Sequence, residues 1–276
     1  MTEHSDRDPA PSPDGKLIAF TRFRIGPDEI WLAESDGSNP GRLTTGTQPD
    51  WSPDGTEIAF TRGFDIHVIS LADSSVERLT HNGTSNYPDW SPDGRYIAFT
   101  CGQLGETCMI EAHGSDGWSV GNGGMPDWSP DGGRIAFLGE TEGQSLWSDI
   151  WVVDADGQNR RRVTSGQWFH ARYPQWSPDG KRIAFVATDL GHAQLRDSIW
   201  LIRPDGTGAC KLTSGRADGP KWTPDGSSIV YSRHLPGTSP GVCTWTIWAL
   251  SVQDCSQQQI TFPSAGVPGH SGQSPN

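Results

Sequence analysis

WSPDGTEIAF, residues 51–60, combines a tight turn with an apolar run. Pro53 fixes φ at the second turn position, Asp54 tolerates the third and can bond to the backbone, and Gly55 accepts the left-handed conformation that follows. The run that ends in IAF then continues as a β-strand. The stretch therefore encodes a strand, a tight turn and a second strand.

The same hairpin motif occurs six times along the chain. The copies are PSPDGKLIAF from Pro11, WSPDGTEIAF from Trp51, WSPDGRYIAF from Trp90, WSPDGGRIAF from Trp128, WSPDGKRIAF from Trp176 and WTPDGSSIVY from Trp222. Their turn aspartates are separated by 40, 39, 38, 48 and 46 residues. A period of about 40–50 residues with several strands per unit is typical of β-propeller blades.

A second motif follows the hairpin in five of the six units. It is an apolar strand, a turn that often contains Asp-Gly, and a shorter strand that ends in Leu-Thr, Val-Thr or Ile-Thr, at residues 28–44, 64–80, 149–164, 198–213 and 246–261. Six units of four strands predict an all-β fold, a six-bladed β-propeller of four-stranded antiparallel blades. In the third unit GSDGWSVGNGG replaces the motif, which predicts a short outer strand there.

The predicted domain is a single propeller over residues 1–262, with a disordered tail at 263–276. We expect contiguous blades and a ring closed by packing rather than by a strand exchanged between the chain ends. The Trp before each Ser-Pro-Asp-Gly should pack between neighbouring blades. The predicted blades cover about 8–45, 46–81, 82–121, 122–165, 166–214 and 215–262.

Charge and cysteine content narrow the function classes. The 276 residues carry a formal net charge of -12, which disfavours a nucleic-acid partner because that partner needs a Lys/Arg surface. No apolar run approaches the roughly 20 residues that span a bilayer, so we expect no membrane insertion, and we expect a monomer. Cys101 and Cys108 could pair across a hairpin, Cys243 and Cys255 are a weaker pair, and reduced thiols are the alternative.

The two motifs together, W-S-P-D-G-x-x-I-A-F and D-I-W-x-x-x-x-D-G-x-x-x-R-x-L-T, resemble the TolB-type, WD-like β-propeller repeat over roughly residues 8–262. Relatives with this propeller serve as periplasmic interaction scaffolds, gating domains of serine peptidases or metal-dependent oligogalacturonate lyases. The resemblance implies a periplasmic or extracellular location, although the polar N-terminus lacks the apolar core of a signal peptide. The sequence is accounted for by the propeller repeats, so no peptidase catalytic domain is expected in it.

Variable loops on a rigid frame are the usual place for function, and they fall on the face opposite the Ser-Pro-Asp-Gly turns. We predict that this face and the channel mouth recognise a protein, peptide or saccharide. Exposed aromatic and arginine side chains are good interface anchors. The predicted contact residues are Trp168, Phe169, His170, Arg172, Tyr173, Tyr87, His192 and His234.

Histidines on the same face suggest an alternative function. His81, His170, His192 and His234 could supply the three or so ligands of a divalent metal in a lyase or hydrolase of the oligogalacturonate-lyase type. The absence of a His-x-His spacing favours the other interpretation, that they are solvated loop histidines. A purely structural or engineered propeller without a ligand is the third possibility.

Carboxylates before the blade tryptophans form a second candidate site. Asp50, Asp89 and Asp127 occupy this position in blades two to four, whereas Gln175 and Lys221 occupy it in blades five and six, and Ala10 in blade one. If the three aspartates face the channel they could hold Ca²⁺, which prefers oxygen ligands. If they face the adjacent blade they would bond to its amides instead. The aspartates of the Ser-Pro-Asp-Gly turns are predicted to be purely structural.

Overall fold

Six four-stranded antiparallel sheets are arranged as the blades of a propeller. The computed structural model describes residues 4–114, 117–141, 144–164, 168–189, 197–236, 243–254 and 256–261. In every sheet the strand order follows the chain order, so each blade is a contiguous meander. The predicted six-bladed fold is confirmed, and the predicted tail lies outside the described residues.

The first three blades have regular strands. Blade one contains β1 (Ser5–Pro11), β2 (Leu17–Phe23), β3 (Glu29–Glu34) and β4 (Gly41–Thr45). Blade two contains β5 (Thr47–Trp51), β6 (Glu57–Arg62), β7 (Asp65–Ser70) and β8 (Val76–Arg78). Blade three contains β9 (Asn86–Trp90), β10 (Tyr96–Cys101), β11 (Glu106–Glu111) and β12 (Gly117–Asn122).

Blades four and six have the longest middle strands, and the outer strands of the last three blades have only two or three residues. Blade four contains β13 (Gly124–Trp128), β14 (Arg134–Thr141), β15 (Gln144–Asp154) and β16 (Arg161–Arg162). Blade five contains β17 (Trp168–Trp176), β18 (Ile183–Asp189), β19 (Asp197–Ile202) and β20 (Cys210–Lys211). Blade six contains β21 (Ala217–Trp222), β22 (Ser228–Pro236), β23 (Cys243–Ser251) and β24 (Gln257–Gln259). No helix within these described ranges is long and apolar enough to cross a membrane.

The repeated aspartate shapes the turn between the first two strands. In blade two, Asp54 Oδ1 accepts hydrogen bonds from the Ser52 hydroxyl at 2.7 Å and from the Thr56 amide at 3.0 Å. Gly55 has φ +72°, the left-handed conformation that the motif predicts. These hydrogen bonds hold the pKa of Asp54 below its usual value. The other five turns repeat the Ser or Thr hydroxyl bond to Asp, at 2.5–2.7 Å.

The tryptophans that recur before the Ser-Pro-Asp-Gly turns fill the seams between blades, as predicted. Trp51 packs with Ala10 and Ile30 of blade one and with Ile58 of its own blade. Its indole Nε1 donates to the Ala10 carbonyl at 2.9 Å, which also ties the two blades through a hydrogen bond. Trp90, Trp128 and Trp176 occupy the equivalent seams of the next three blades. Stacked blades therefore bury the faces that a single blade would leave exposed.

The ring closes by packing between blade six and blade one. Ile18 and Phe20 of β2 cluster with Val230, Ile247 and Ile260 of the last blade. At the same seam the turn between β3 and β4 approaches the backbone of Ile260 so closely that a Cβ on Gly37 would lie 2.0 Å from its carbonyl oxygen. Gly37 also has φ +87°, so both space and conformation require glycine at this position.

Blade three departs from one prediction and shows which of two cysteine alternatives holds. Its outer strand β12 has six residues, longer than β8, β16, β20 or β24, so the predicted short strand is wrong. Trp118 of β12 packs edge-on against Tyr96, and this contact offsets the missing Leu-Thr motif. Cys101 and Cys108, which the sequence left open as a pair or as reduced thiols, form a disulfide with a Cα–Cα distance of 5.8 Å. The proposed Cys243–Cys255 pair lies outside the described residues and side chains.

Candidate functional site

Each inner strand carries a β-bulge at an X-Pro step. The ladder between the first and second strands shifts register there in all six blades. The residue before the proline is left-handed every time, although five of the six are not glycine and a following proline restricts them further. These residues are Asp8 (φ 52°), Gln48 (φ 56°), Tyr87 (φ 54°), Met125 (φ 53°), Tyr173 (φ 53°) and Gly219 (φ 54°).

The six left-handed residues surround one cavity at the channel mouth. All six line it, together with prolines such as Pro49 and Pro88 and, deeper in the channel, Lys221. The cavity has a volume of about 60 Å³. Strained backbone of this kind persists only where the surrounding structure enforces it, and it concentrates at functional sites. We call this cavity, with its six left-handed residues, the mouth.

Two of the predicted contact residues meet across the mouth. Tyr87 of blade three and Tyr173 of blade five pack edge to face, with ring centroids 5.9 Å apart. Their hydroxyl oxygens are 3.4 Å apart. Burial, the largest influence on both groups, raises the pKa of Tyr87 and of Tyr173, so both hydroxyls stay protonated at neutral pH. Each can therefore still offer hydrogen bonds to a ligand.

A relay of threonine hydroxyls and an amide holds the opposite side of the mouth. Thr21 Oγ1 donates to Asp8 Oδ2 at 2.9 Å and accepts from the Gln48 amide at 2.9 Å. Thr61 Oγ1 donates to Gln48 Oε1 at 2.9 Å, and the same oxygen accepts from the Tyr87 amide at 3.1 Å. Burial raises the pKa of Asp8, and the Thr21 hydrogen bond opposes that effect. Backbone and side chains of three blades are thus fixed together.

Beneath the mouth a lysine lies among the three channel aspartates. Lys221 Nζ donates to Asp50 Oδ1 and to Asp89 Oδ1, each at 3.1 Å. Asp127 Oδ1 is 3.8 Å from the same nitrogen. The aspartates therefore do face the channel, but the cation that they surround is an ammonium group of the chain itself. We call these four side chains the charged layer.

The second oxygen of each aspartate binds the next blade. Asp50 Oδ2 accepts from the Trp90 amide at 2.8 Å, Asp89 Oδ2 from the Trp128 amide at 2.7 Å, and Asp127 Oδ2 from the Trp176 amide at 2.5 Å. Both arrangements considered from the sequence, channel-facing and blade-bonding, therefore hold for the same carboxylates. Each aspartate joins two blades and the central ammonium.

The charged layer is electrostatically unbalanced. Three carboxylates face one ammonium, so full ionisation would leave two uncompensated negative charges. Burial raises the pKa of Asp50 to about 6 against the opposing charge of Lys221. Burial and then the charge of Asp89 raise the pKa of Asp127 well above its usual value. For Lys221, burial would lower the pKa, but the three carboxylates outweigh it and raise the pKa above its ordinary value.

Arg172, a predicted contact residue, is held by ion pairs inside the protein. Its Nη2 lies 2.9 Å from Asp197 Oδ2 and 3.6 Å from Asp218 Oδ1. Burial raises the pKa of Asp218 to about 6, and Arg172 opposes that effect. Arg172 therefore positions the strands beside Tyr173 and has little freedom to reach a partner.

The remaining predicted residues are described only in part. Trp168 and Phe169 lie in β17, but their side chains, like the whole of His192, fall outside the described part of the chain. His170 is partly buried with φ 54°, and His81 is exposed. The His234 ring packs edge-on against Trp245, with centroids 5.3 Å apart.

One group of metal-type ligand atoms is compact within the described ranges. Cys101, Glu106 and Cys108 have ligand atoms within 4.8 Å of one another, and the two cysteines are joined as the disulfide. No histidine from the described residues belongs to such a group, and neither do the three channel aspartates. Metal binding by the histidines, and Ca²⁺ binding by Asp50, Asp89 and Asp127, stay predictions, and the Lys221 ammonium occupies the centre of the aspartate set.

Comparison with known proteins identifies the repeat. The TolB β-propeller domain matches residues 2–117 and 117–260, which together cover nearly the whole chain. The chain belongs to the TolB β-propeller domain family.

Two curated relatives match short stretches of this TolB-type propeller. Tricorn protease homolog 1 of Streptomyces coelicolor is 37% identical over 82 residues, which cover 27% of this chain and 7% of that protein. A second curated relative, an uncharacterized protein of Agrobacterium fabrum, is 36% identical over 66 residues and is covered over 22% of its length. The chain thus matches only a minor part of both curated relatives.

Solved structures share the fold. The structure of a putative TolB from Agrobacterium tumefaciens has a TM-score of 0.72 at 23% identity, over 84% of this chain and 91% of that one. An oligogalacturonate lyase in complex with manganese has a TM-score of 0.65 at 15% identity, over 93% of this chain and 77% of that one. At such identities the similarity shows the fold alone, so the function must be argued from the site.

Sequence reasoning missed most of the mouth. Asp8, Gln48, Met125 and Gly219 were not identified as candidates, and Lys221 was regarded only as an interruption of the acidic ring. A signal for them exists, because each repeat has an X-Pro step just before its inner strand ends: Asp8-Pro9, Gln48-Pro49, Tyr87-Pro88, Met125-Pro126, Tyr173-Pro174 and Gly219-Pro220.

Proposed function

We propose that this TolB-type propeller is a non-catalytic binding module that recognises a segment of a partner protein or peptide at its loop face. The mouth is the anchoring site, and Tyr87 and Tyr173 are its principal contacts. The observation that carries the proposal is the cavity built by six left-handed residues, one from each blade. Backbone strain repeated six times around one opening is expected where a ligand is bound.

The charged layer also favours binding over catalysis. Its carboxylates are already bonded to Lys221 and to the amides of adjacent blades. Such groups give the channel a rigid floor rather than a reactive centre. A saccharide would contact the same two tyrosines. The assay below tests peptides and oligosaccharides separately and so distinguishes the two ligand classes.

Glycine at position 219 allows a sharp test of the mouth. Gly219 has φ +54°, and Gln48 has φ +56° at the equivalent position of blade two. A Cβ at position 219 would have its nearest neighbours at 3.9–4.0 Å, an ordinary contact distance. A non-glycine residue at this φ carries about 1–3 kcal/mol of backbone strain, which Gln48 already carries in blade two. Gly219→Gln should therefore fold, with some loss of stability, and should fill the mouth with a side chain that another blade already has.

The assay is selection of displayed random peptides and of an oligosaccharide panel on immobilised protein. We expect peptides that bind the wild type and lose at least about tenfold in affinity on Gly219→Gln and on Tyr173→Ala. Lys181→Gln is the matched control, because Lys181 is exposed in a Ser-Pro-Asp-Gly turn on the opposite face. Selected ligands whose affinity is unchanged by Gly219→Gln would show that the mouth is not the binding site.

The alternative function is a metal-dependent lyase or hydrolase, suggested by the shared fold of the manganese-bound oligogalacturonate lyase. It would act through His81, His170, His192 or His234. Incubation with uronide polymers and Mn²⁺, followed by absorbance of unsaturated products, tests it directly. Product formation that disappears on His170→Ala would replace the binding proposal with this one.

A further inference from the structure

The residues that the six blades contribute to the mouth indicate the chemistry of its ligand. Blades one, three and five contribute polar tips, which are the Asp8 carboxylate and the hydroxyls of Tyr87 and Tyr173. Between them, blades two, four and six contribute Gln48, Met125 and the bare backbone of Gly219. A carboxylate and two tyrosine side chains, from every second blade, are thus spaced around a narrow opening.

The walls of the mouth are mainly apolar. Five prolines line the cavity, and Met125 lies among them: Pro9, Pro49, Pro88, Pro126 and Pro220. A small cavity with such walls suits a slender alkyl chain better than a ring. The absent side chain at Gly219 leaves room on one side, next to Asp8, where a Cβ would be 4.0 Å from the Asp8 Cα.

The charges around the mouth favour a positively charged group at the end of the ligand's alkyl chain. Three cations near the mouth are already engaged. Lys221 is paired with Asp50 and Asp89, and Arg172 with Asp197. The Arg7 guanidinium, next to Asp8 in the chain, lies over the Trp245 ring at 4.2 Å from its centroid. Beneath the mouth, the charged layer has more carboxylates than ammonium groups, and Asp8 adds another carboxylate at the rim. A positive group would face Asp8 and the tyrosine rings, whose faces attract cations.

We propose that the mouth binds a primary ammonium group on an alkyl stem, the side chain of a lysine presented by the partner. The stem lies against the prolines and Met125, and the ammonium donates to Asp8 and to the hydroxyl oxygens of Tyr87 and Tyr173. This inference rests on the proposed binding function and specifies which side chain the mouth selects.

Three small probes of matched shape test the charge requirement. Nα-acetyl-lysine methylamide carries the ammonium, the norleucine analogue keeps most of the stem without charge, and the glutamate analogue reverses the charge. Binding is measured by saturation-transfer NMR and by calorimetry. We expect the lysine probe to bind roughly tenfold or more tightly than the norleucine probe, and the glutamate probe to be weakest.

Two variants assign the binding to the mouth. Asp8→Asn keeps an oxygen that accepts from Thr21, so the fold is retained while the negative charge is removed. Asp8→Asn should lower the affinity for the lysine probe about tenfold and leave the affinity for the norleucine probe unchanged. Gly219→Gln should abolish binding of both probes, and Lys181→Gln should change neither. Thermal unfolding of each variant confirms that it is folded.

The outcomes separate this inference from the proposed function. Equal binding of the lysine and norleucine probes, or lysine binding that is unaffected by Asp8→Asn, would overturn the ammonium site. If peptides selected on the protein lose affinity on Gly219→Gln but contain no required lysine, the mouth binds partners and the lysine inference fails. If neither peptides nor probes depend on position 219, both proposals fail.

Discussion

Removing the ammonium of the charged layer should destabilise the protein in a strongly pH-dependent way. Lys221→Met keeps a long, slender side chain but leaves Asp50, Asp89 and Asp127 without their shared cation. Each 3.1 Å contact is worth about 5 kcal/mol as a bare Coulomb attraction at an effective dielectric constant of about 20, and the 3.8 Å contact slightly less. These values are upper limits, because burial of the lysine offsets them.

The net loss of stability depends on whether the three carboxylates stay ionised or become protonated after the lysine is removed. Breaking a buried ion pair typically costs about 3–5 kcal/mol, because the remaining charges have no partner. Protonation removes that cost, and the pKa of Asp50 is already raised to about 6 in the presence of Lys221. Without Lys221 these pKa values rise further, so the folded variant takes up protons that the unfolded chain releases. The stability of the variant therefore falls as pH rises through that range.

Urea unfolding followed by tryptophan fluorescence measures the effect. We expect Lys221→Met to lower the free energy of unfolding by about 3–5 kcal/mol near pH 8 and by about 1 kcal/mol near pH 5. Adding Asp89→Asn to Lys221→Met should recover part of the loss near pH 8, and Lys181→Met should change stability by less than about 0.5 kcal/mol. Ca²⁺ should stabilise Lys221→Met, since the three carboxylates then lack an internal cation. An equal loss at both pH values would refute the electrostatic account.

Three further predictions concern the seam between blades six and one, the buried Asp218 carboxylate and the disulfide. Gly37→Ala should cost at least about 2 kcal/mol in chemical unfolding, because its Cβ would overlap a carbonyl of blade six, whereas Gly41→Ala meets nothing within 4 Å and should be near neutral. The pKa of Asp218 is raised to about 6 from 3.8, so wild-type stability should fall by up to about 3 kcal/mol relative to Asp218→Asn as pH rises from about 4 to 6, and a constant difference would contradict this. Reducing the disulfide between Cys101 and Cys108 should cost about 2 kcal/mol and expose both thiols to alkylation, and a thiol count that reduction leaves unchanged would exclude the bond.

The blade itself could be predicted from the sequence because its signals are local. Each Ser-Pro-Asp-Gly turn is specified by four adjacent residues, and the hydrogen bond from Ser52 to Asp54 joins neighbours two positions apart. The seam tryptophans were equally predictable, since a large apolar residue at one place in every repeat needs a buried environment. The length of β12 was not predictable in this way, because the Trp118–Tyr96 contact replaces a motif that the repeat lacks.

The candidate site was only partly predictable. Tyr87 and Tyr173 were predicted as contact residues of the loop face, yet they meet only because blades three and five, on either side of blade four, both direct a tyrosine into the mouth. The sequence could place an aspartate before three of the tryptophans but could not show whether it faced the channel or the next blade. The structure shows that each carboxylate does both, one oxygen in each direction.

The amino-acid sequence by itself determined the number of blades, the hairpin at the heart of each one and the residues that pack between them, because all three depend on short-range patterns repeated at a nearly constant interval. The tertiary structure decided which residues share the channel. Lys221 and Asp50 are 171 positions apart and come within 3.1 Å only when the ring closes. The left-handed bulges that bring six residues to the mouth depend on the same closure, because the surrounding blades must enforce a backbone conformation that an isolated strand would avoid.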